Sequence, residues 1–299
     1  MISVRGLRKS YGDFEAVRGI DFEVKRGEVL AFLGPNGAGK TTTAEVLEGY
    51  RDRSGGEVSV LGVDPAQPTR AWRERIGIVL QQCRMRPELT VAETLELYAG
   101  YYATPRAVTE TIGQVGLEHK ARARAGSLSG GQLRRLDVGV ALIGDPDLLF
   151  LDEPTTGFDP SARRQAWEVI GGLRDLGKTV FLTTHYMDEA QRLADRVAIV
   201  AEGKPDELGD RENRPATVSF RLPAGVGAGE LPEIGASSAV NGTISLSASD
   251  PVAVLNRLTA WALDRGIDLE GLEVRRPSLE DVYLELTGDA EAEHPAEVA

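Results

Sequence analysis

Cysteine and long apolar runs are the two features that this sequence most clearly lacks. Its 299 residues include one cysteine, Cys83, so no disulfide can form within the chain, as expected of a protein in a reducing cytoplasm. The longest apolar runs, such as 148–151 and 197–201, have the length of strands, whereas a membrane span needs about 18 apolar residues. The first residues form a charged, alternating segment without the pattern of a secretory signal. We therefore expect that any link to a membrane is made through a partner.

Positive charge is also scarce. Lysine and arginine together number 34 against 46 aspartates and glutamates, which gives a formal net charge of -12. Binding to nucleic acid depends on clustered Lys and Arg that neutralise phosphates, so this balance argues against a general nucleic-acid role. Hydrophobic residues make up 41% of the chain, as in ordinary globular proteins. The length allows one large α/β domain and a smaller one.

From the start to about residue 208, short apolar strands alternate with helical patterns. A helix is predicted over 161–176, a strand over 180–183, a helix over 187–194 and a strand over 197–200. Such alternation is typical of a mostly parallel sheet with helices on both faces. We therefore predict an α/β fold for this part of the chain.

One segment of this part carries a specific motif. Residues 34–41 match the P-loop pattern G-x-x-x-x-G-K-[ST], between a predicted buried strand at 28–33 and a predicted helix at 41–48. The glycines let successive N–H groups point at phosphate oxygens, Lys40 can reach the β- and γ-phosphates, and the Thr41 hydroxyl can bind Mg²⁺. The alternative is a plain glycine-rich turn. The predicted strand before the motif and the predicted helix after it argue against that alternative. The predicted nucleotide-binding residues are Gly34, Pro35, Asn36, Gly37, Ala38, Gly39, Lys40, Thr41 and Thr42.

A second apolar strand, predicted over 148–151, ends in two carboxylates. Asp152 at the strand end suits a bond to Mg²⁺ or to its bound water. Glu153 points elsewhere and can polarise an attacking water. Standing alone, the two residues would be ordinary surface acids, but a P-loop in the same chain favours a catalytic role.

A short serine-glycine segment, 129–132, comes before a predicted arginine-rich amphipathic helix. Its serine and two glycines lie at the helix N-terminus, which suits phosphate. The chain thus has two helix ends suited to phosphate, and each of them can serve a different nucleotide.

Together these motifs resemble the nucleotide-binding subunit of an ATP-binding cassette (ABC) transporter, over residues 1 to about 208. The resemblance implies a P-loop NTPase of the ABC type, with a mixed-sheet core and a helical subdomain, that uses ATP and Mg²⁺. The motifs and residues that carry the resemblance, in the order typical of the family, are the P-loop 34–41, Gln81, Leu-Ser-Gly-Gly-Gln 128–132, Leu-Leu-Phe-Leu-Asp-Glu 148–153, Gly157-Phe158-Asp159 and His185.

The resemblance implies roles for single residues. Tyr11 would stack on the adenine ring, although a plain surface aromatic is the alternative because stacking demands little of the sequence. Gln81 would contact Mg²⁺ and the attacking water and signal to a membrane partner. His185 would hold the γ-phosphate and Glu153 in register. The implied catalytic residues are Glu153, His185 and Gln81, and the implied Mg²⁺ ligands are Thr41, Gln81 and Asp152.

The resemblance also implies a dimer. The serine-glycine segment of one chain would close over ATP held by the P-loop of another, in a homodimer or a pair with a similar ATPase. Because Glu153 is present, both sites of a homodimer would be competent. The residues implied to reach the partner's nucleotide are Ser129, Gly130, Gly131, Gln132 and Asp159.

The pattern changes after residue 208. We predict an ABC ATPase domain over 1–208, a linker over 209–215, a small α+β domain over 216–287 and a disordered acidic tail over 288–299. In the small domain, strands are predicted at 217–222 and 269–274 and an Asn-Gly hairpin at 240–246. Helices are predicted to begin at Asp250-Pro251 and at Ser278.

Two segments, 276–288 and 142–146, resemble ATPases of drug-resistance exporters of the daunorubicin/doxorubicin type. That branch pairs the ATPase with a separate membrane permease. The resemblance implies an ATPase that powers efflux of a drug-like or lipid-like substrate from the cytoplasmic face of the membrane, with no nucleic-acid partner. An importer ATPase and a non-transport ABC ATPase remain as alternatives.

Two departures from the family pattern are visible. Phe158 stands where the family usually has leucine, which is a conservative apolar change. After 197–200, residues 201–208 follow at once where the family normally has a glycine turn and a second strand. Part of a hairpin is therefore expected to be missing, far from the nucleotide motifs.

Overall fold

The computed structural model describes residues 1–81, 85–201, 204–207, 215–223, 226, 230–232, 234, 237–240 and 243–275. The chain divides into two compact units, Met1–Leu208 and Gly209–Ala299. The first unit contains, in chain order, β1 (Ile2–Tyr11), β2 (Phe14–Val24), β3 (Val29–Leu33), α1 (Lys40–Leu47), β4 (Gly55–Val60), α2 (Arg70–Arg73), β5 (Ile76–Val79), α3 (Val91–Ala99), α4 (Val108–Gln114), α5 (Gly130–Leu142), β6 (Leu148–Asp152), α6 (Pro160–Asp175), β7 (Thr179–Thr184), α7 (Met187–Leu193), β8 (Arg196–Ala201) and β9 (Lys204–Glu207).

The central sheet of the first unit has six strands in the order β5-β6-β7-β3-β8-β9. The first five are parallel, and β9 pairs antiparallel with β8. Every residue of β3, β6 and β7 is buried, which requires cover on both faces of the sheet. That burial explains why these strands are continuous apolar runs rather than alternating ones. The predicted mixed-sheet core is confirmed.

A second sheet, β2-β1-β4, is antiparallel throughout. The prediction that strands and helices alternate from the start of the chain is therefore wrong for the first 24 residues. Here two long strands follow each other directly in a hairpin, and their burial alternates as in a sheet with one solvated face. Phe22 of β2 contacts Phe32 and Phe181 of the central sheet, with ring centres 5.4 and 5.9 Å apart, so aromatic packing joins the two sheets.

Three helices, α3, α4 and α5, lie between β5 and β6 with no intervening strand among the described residues. Thr90 and Glu93 form a capping box at the start of α3, which satisfies two N–H groups of its first turn. This segment is the predicted helical subdomain. None of the helices in the described part of the chain is both long and apolar enough to cross a lipid bilayer.

The hairpin at the end of the first unit differs from expectation. Strand β9 pairs with β8 in a register that matches Ala201 with Lys204 and Ala198 with Glu207. The inference that this hairpin is incomplete therefore needs correction, because residues 204–207 themselves provide its second strand. Their sequence, Lys-Pro-Asp-Glu, has low strand propensity, so pairing with the edge of the sheet decides the conformation.

The second unit contains β10 (Ala216–Arg221), β11 (Ser237–Val240), β12 (Thr243–Ala248), α8 (Pro251–Arg265) and β13 (Glu270–Arg275), with the antiparallel sheet order β11-β12-β10-β13. Asp250 caps α8 by accepting a hydrogen bond from the N–H of Ala253, and Gly266 ends the helix at a φ of 61°. The predicted α+β character is confirmed. The Asn-Gly turn, most of the linker 209–215, the helix beginning at Ser278 and the tail 288–299 lie outside the described residues.

Candidate functional site

The loop between β3 and α1 depends on glycine for its shape. Gly37 and Gly39 both have a φ of 87°, a left-handed conformation that side chains disfavour. A Cβ atom at Gly34 would lie 2.5 Å from the carbonyl oxygen of Val200, and one at Gly39 would lie 2.5 Å from that of Ala16. The loop is therefore packed against β2 and β8 at a distance that only glycine allows.

Lys40, the first residue of α1, is buried at the centre of this loop with 4% of its surface exposed. Its ammonium group donates hydrogen bonds to the carbonyl oxygens of Gly34 and Pro35, at 2.8 and 2.9 Å. The same nitrogen lies 3.5 Å from Oε1 of Glu153. Burial lowers the pKa of Lys40, and the charge of Glu153 partly opposes that shift. The loop thus holds a cation where phosphate oxygens would approach.

Asp152 ends β6 and is also buried. Its Oδ1 accepts a hydrogen bond from the hydroxyl of Thr183 and lies 3.5 Å from the hydroxyl of Thr41. Burial raises the pKa of Asp152, and the hydrogen bond from Thr183 works against that rise. A cation between Thr41 and Asp152 would stabilise the charged carboxylate. Both groups offer oxygen, the ligand that Mg²⁺ prefers.

Glu153 makes more polar contacts than its neighbours in the site. Its Oε1 lies 3.2 Å from Nδ1 of His185, and its Oε2 accepts hydrogen bonds from the Gln81 amide at 3.1 Å and the Thr156 hydroxyl at 3.2 Å. Burial acts to raise the pKa of Glu153, but the bond to His185 and the charge of Lys40 outweigh it and hold the pKa below its usual range. The carboxylate is therefore charged and fixed in direction, as a general base requires.

An open cavity of about 570 Å³ connects these groups. It brings together ten of the residues singled out by the sequence. Gly34, Pro35 and Ala38 belong to the same loop without lining the cavity, and Asp152 reaches it through Thr41. The residues that line it are Tyr11, Phe14, Ala16, Asn36, Gly37, Gly39, Lys40, Thr41, Thr42, Gln81, Glu153, Thr156 and His185.

Two aromatic side chains contribute to the cavity wall away from the loop. Tyr11 ends β1, Phe14 begins β2, and the two residues are partners across the hairpin. Their side chains are 41% and 60% exposed, and Lys9 and Arg51 lie over the Tyr11 ring at 5.1 and 5.3 Å. The sequence patterns point to Tyr11 but not to Phe14. The feature of the sequence that could have indicated Phe14 is its position opposite Tyr11 across a two-residue turn.

Five predicted residues lie apart from the cavity. Ser129 caps α5 in a capping box with Gln132. Asp159 caps α6 by accepting hydrogen bonds from the N–H groups of Ser161 and Ala162, which lower its pKa. Gly130 follows Ser129 in the first turn of α5, and Gly131 packs near Ala162. These residues are thus not part of the site of their own chain.

Arg134 is a contact residue that the sequence does not reveal. The sequence predicts an arginine-rich amphipathic helix that contains Arg134 and Arg135, and in the structure Arg134 is only 5% exposed. Its guanidinium donates hydrogen bonds to the carbonyl oxygens of Leu80, Asp152 and Pro154. Asp137, three residues along the helix, also pairs with the guanidinium, but the three backbone carbonyls are partners that no side chain in the sequence indicates.

A pair of residues beside His185, Tyr186 and Arg163, is also not indicated by the sequence. The ring of Tyr186 lies against that of His185, with centres 4.0 Å apart, and the guanidinium of Arg163 stands 4.1 Å from the Tyr186 ring. Arg163 belongs to the first turn of α6, just after Asp159. A cation–π contact of this kind holds the tyrosine in place and restricts the histidine beside it.

A strand, a glycine loop and a helix around a buried lysine, beside a strand that ends in two carboxylates, define a P-loop NTPase. A family model described as ABC transporter matches residues 17–156. A second, described as ABC transporter domain-containing protein-like, C-terminal domain, matches residues 216–278.

Curated relatives match over nearly the whole chain. The Nod factor export ATP-binding protein I of Burkholderia orbicola is 38% identical over 96% of this chain and 97% of its own. The protein of the same name from Rhizobium meliloti is 40% identical over 96% and 88%. The daunorubicin resistance ATP-binding protein DrrA3 of Streptomyces coeruleorubidus is 38% identical over 96% of each chain.

Solved structures agree with the fold. An ATP-binding subunit of an ABC transporter is 27% identical, with a TM-score of 0.61 over 71% of this chain and 91% of that one. A dimeric ATP-binding cassette in a post-hydrolysis state, bound to ADP and Pi, is 25% identical, with a TM-score of 0.61 over 70% and 99%.

The chain belongs to the ABC transporter family. It is an ATP-binding and ATP-hydrolysing subunit, and the predicted resemblance to ABC ATPases, including those of drug-resistance systems, is confirmed.

Proposed function

We propose that ATP binds in the cavity with its base against Tyr11 and Phe14 and its phosphates in the loop 34–41. Lys40 exchanges its hydrogen bonds with the loop carbonyls for bonds to the β- and γ-phosphates. The N–H groups of the loop and of the first turn of α1 provide the remaining phosphate contacts. Support comes from the burial of Lys40 at the helix N-terminus beside the carboxylate of Glu153.

Thr41, Asp152 and Gln81 are the residues that would hold Mg²⁺. Bound there, the ion would neutralise charge on the phosphate oxygens of the nucleotide. In the described part of the chain no group of three or more His, Cys, Asp or Glu side chains is arranged for a metal. Substrate phosphates would supply further ligands, as is usual for Mg²⁺ in nucleotide sites.

Glu153 acts as the base that orients and polarises the attacking water, and His185 and Gln81 fix its two oxygens. The observation that carries this assignment is the set of contacts around Glu153, which leaves its carboxylate charged at the edge of the cavity. Thr156 adds a hydroxyl donor to the oxygen that Gln81 contacts, and Lys40 lies near the other oxygen.

Glu153→Gln tests the assignment. We expect ATP turnover, measured as phosphate release, to fall at least about 100-fold because general-base catalysis contributes that much or more. ATP binding should persist, since glutamine keeps the size of the side chain. The control is Asp175→Asn, which changes an exposed acid in the last turn of α6. Turnover in Glu153→Gln at the level of the control would contradict the role.

We infer that the functional unit is a head-to-tail dimer, either of two copies or with a similar ATPase. The helix ends at Ser129 and Asp159 are exposed and do not line the cavity of their own chain, and one solved relative is dimeric. Light scattering should detect an ATP-dependent dimer of Glu153→Gln. A strictly monomeric protein at saturating ATP would argue against the dimer.

The dimer would drive a separate membrane permease from the cytoplasmic face, exporting a drug-like or lipid-like substrate. The relatives reported above are export and resistance ATP-binding proteins, so neither an importer nor a non-transport role is favoured. Co-purification from detergent-solubilised membranes, with ATPase activity measured with and without the captured membrane protein, is the test. Elution without any membrane protein would count against the export role.

We also propose that residues 1–208 carry the ATPase and that residues 216–287 form a separate small domain. Support comes from the two compact units and from two family models that match 17–156 and 216–278. The linker 209–215 and the tail 288–299 remain predictions from composition.

A further inference from the structure

Arg134 connects three parts of the first unit. It lies on α5, one turn beyond Ser129, and its side chain turns inward. Nε donates to the carbonyl oxygen of Pro154 at 3.0 Å and Nη2 to that of Asp152 at 3.1 Å, while Nη1 donates to that of Leu80. Nη1 also bonds Oδ2 of Asp137 at 2.9 Å, which places a carboxylate beside the buried charge.

The two carbonyls on β6 and the following turn flank Glu153. That residue has a φ of 43°, a left-handed conformation that costs a non-glycine residue energy and persists only where the surroundings enforce it. On one side the N–H of Glu153 is held by the carbonyl and hydroxyl of Thr183, each at 3.1 Å. On the other side, Arg134 binds the carbonyls before and after it.

The third carbonyl belongs to Leu80, the residue before Gln81. Gln81 in turn donates to the carboxylate of Glu153. One guanidinium therefore fixes the backbone at Glu153 and next to the amide that contacts it. The planar group can reach several carbonyls at once, which the single ammonium of a lysine cannot do in the same geometry.

We propose that Arg134 is a positioning residue for hydrolysis, and that it ties the Ser129 end of α5 to the Glu153 carboxylate of the same chain. This inference rests on the proposed function. In a head-to-tail dimer the Ser129 end faces the partner's nucleotide, so Arg134 links the contact made at one ATP site to the catalytic base of the other.

Arg134→Lys tests the proposal, with Arg135→Lys as the matched control. Arg135 is the next residue of the same helix and is half-buried, and its guanidinium donates a hydrogen bond to the carbonyl oxygen of Gly116 at 3.0 Å. We expect kcat of Arg134→Lys to fall about 10- to 100-fold, because small displacements of a catalytic group cost that much. The KM for ATP should change less than about threefold. The control should keep kcat within about twofold of wild type.

Two further variants separate positioning from folding. Asp137→Asn leaves the guanidinium in place but replaces its carboxylate partner with a neutral amide, and should lower kcat about 3- to 10-fold. If Arg134→Lys does not fold, the kcat of Asp137→Asn tests the positioning role instead. Arg134→Lys combined with Glu153→Gln should still form the ATP-dependent dimer, because the Ser129 end is intact.

The outcomes are distinct. Equal kcat values for the Arg134 and Arg135 variants would overturn the proposal. Loss of both turnover and dimer formation in the Arg134 variants would also overturn it, because that result would mean that the substitution disrupts α5 itself. A wild-type protein without ATPase activity would instead refute the proposed function itself.

Discussion

Two aromatic rings at the tip of the β1–β2 hairpin present a flat, apolar surface to the cavity. Tyr11 carries two cations over its ring, and Phe14 is the more exposed of the pair. Stacking on a nucleotide base is sequence-tolerant because every base has a π-face. The two rings are therefore suited to holding a base without reading its edge.

Tyr11→Ala should weaken ATP binding about 5- to 150-fold, which corresponds to a loss of about 1–3 kcal/mol of stacking. Phe14→Ala should act in the same direction, and kcat should change little in either variant because the phosphate end is untouched. The control is Tyr101→Ala, an exposed aromatic that does not line the cavity. Titration calorimetry measures the affinities, and unchanged binding in both cavity variants would exclude the stacking role.

At the scale of elements, β3, the P-loop and α1 form one closely packed unit. β3 is buried along its whole length, and the loop that follows it packs against the backbones of Ala16 and Val200. Close packing leaves no room for a side chain at two of its glycines. The loop is thus shaped by its neighbours as well as by its own sequence.

Gly39→Ala should lower the affinity for ATP more than about 100-fold, because a φ of 87° is strained for alanine and the new Cβ would lie 2.5 Å from the oxygen of Ala16. Gly171→Ala is the control: it lies in α6 with open space around it, and should leave binding intact and raise helix stability by about 0.5–1 kcal/mol. Calorimetry and thermal unfolding report both quantities. Wild-type affinity in Gly39→Ala would contradict this view of the loop.

Local patterns in the sequence were sufficient for these elements. The apolar run of β6, the glycines of the loop and the capping serine of α5 act over a few residues, so their conformations could be predicted. The β1–β2 and β8–β9 hairpins are local, but β9 has low strand propensity, and β4 pairs with the distant β1, which no local pattern encodes. Phe14, Arg134 and Arg163 were missed because their partners are known only once the chain has folded.

At the scale of the whole molecule, each of the two units has a hydrophobic core of its own among the described residues. The first includes Phe22, Phe32 and Phe150 from its two sheets. The second is formed by residues such as Phe220 and Leu258 in the smaller unit. A unit with its own core can in principle fold alone.

A chain that ends at Leu208 should therefore fold cooperatively and bind ATP within about threefold of the full-length affinity. Residues 209–299, expressed separately, should give the circular dichroism of a folded α+β protein. Equilibrium unfolding of both fragments and of the full chain provides the comparison. A fragment 1–208 without a cooperative transition would show that the ATPase needs the rest of the chain.

The left-handed backbone at Glu153 has a consequence for how this position can evolve. Glycine would adopt a φ of 43° without strain, so replacing Glu153 by glycine would relax the turn while removing the proposed base. Stability and hydrolysis therefore favour different residues at one position. A chain with glycine at this position would therefore be expected to keep its fold and bind ATP but not to hydrolyse it.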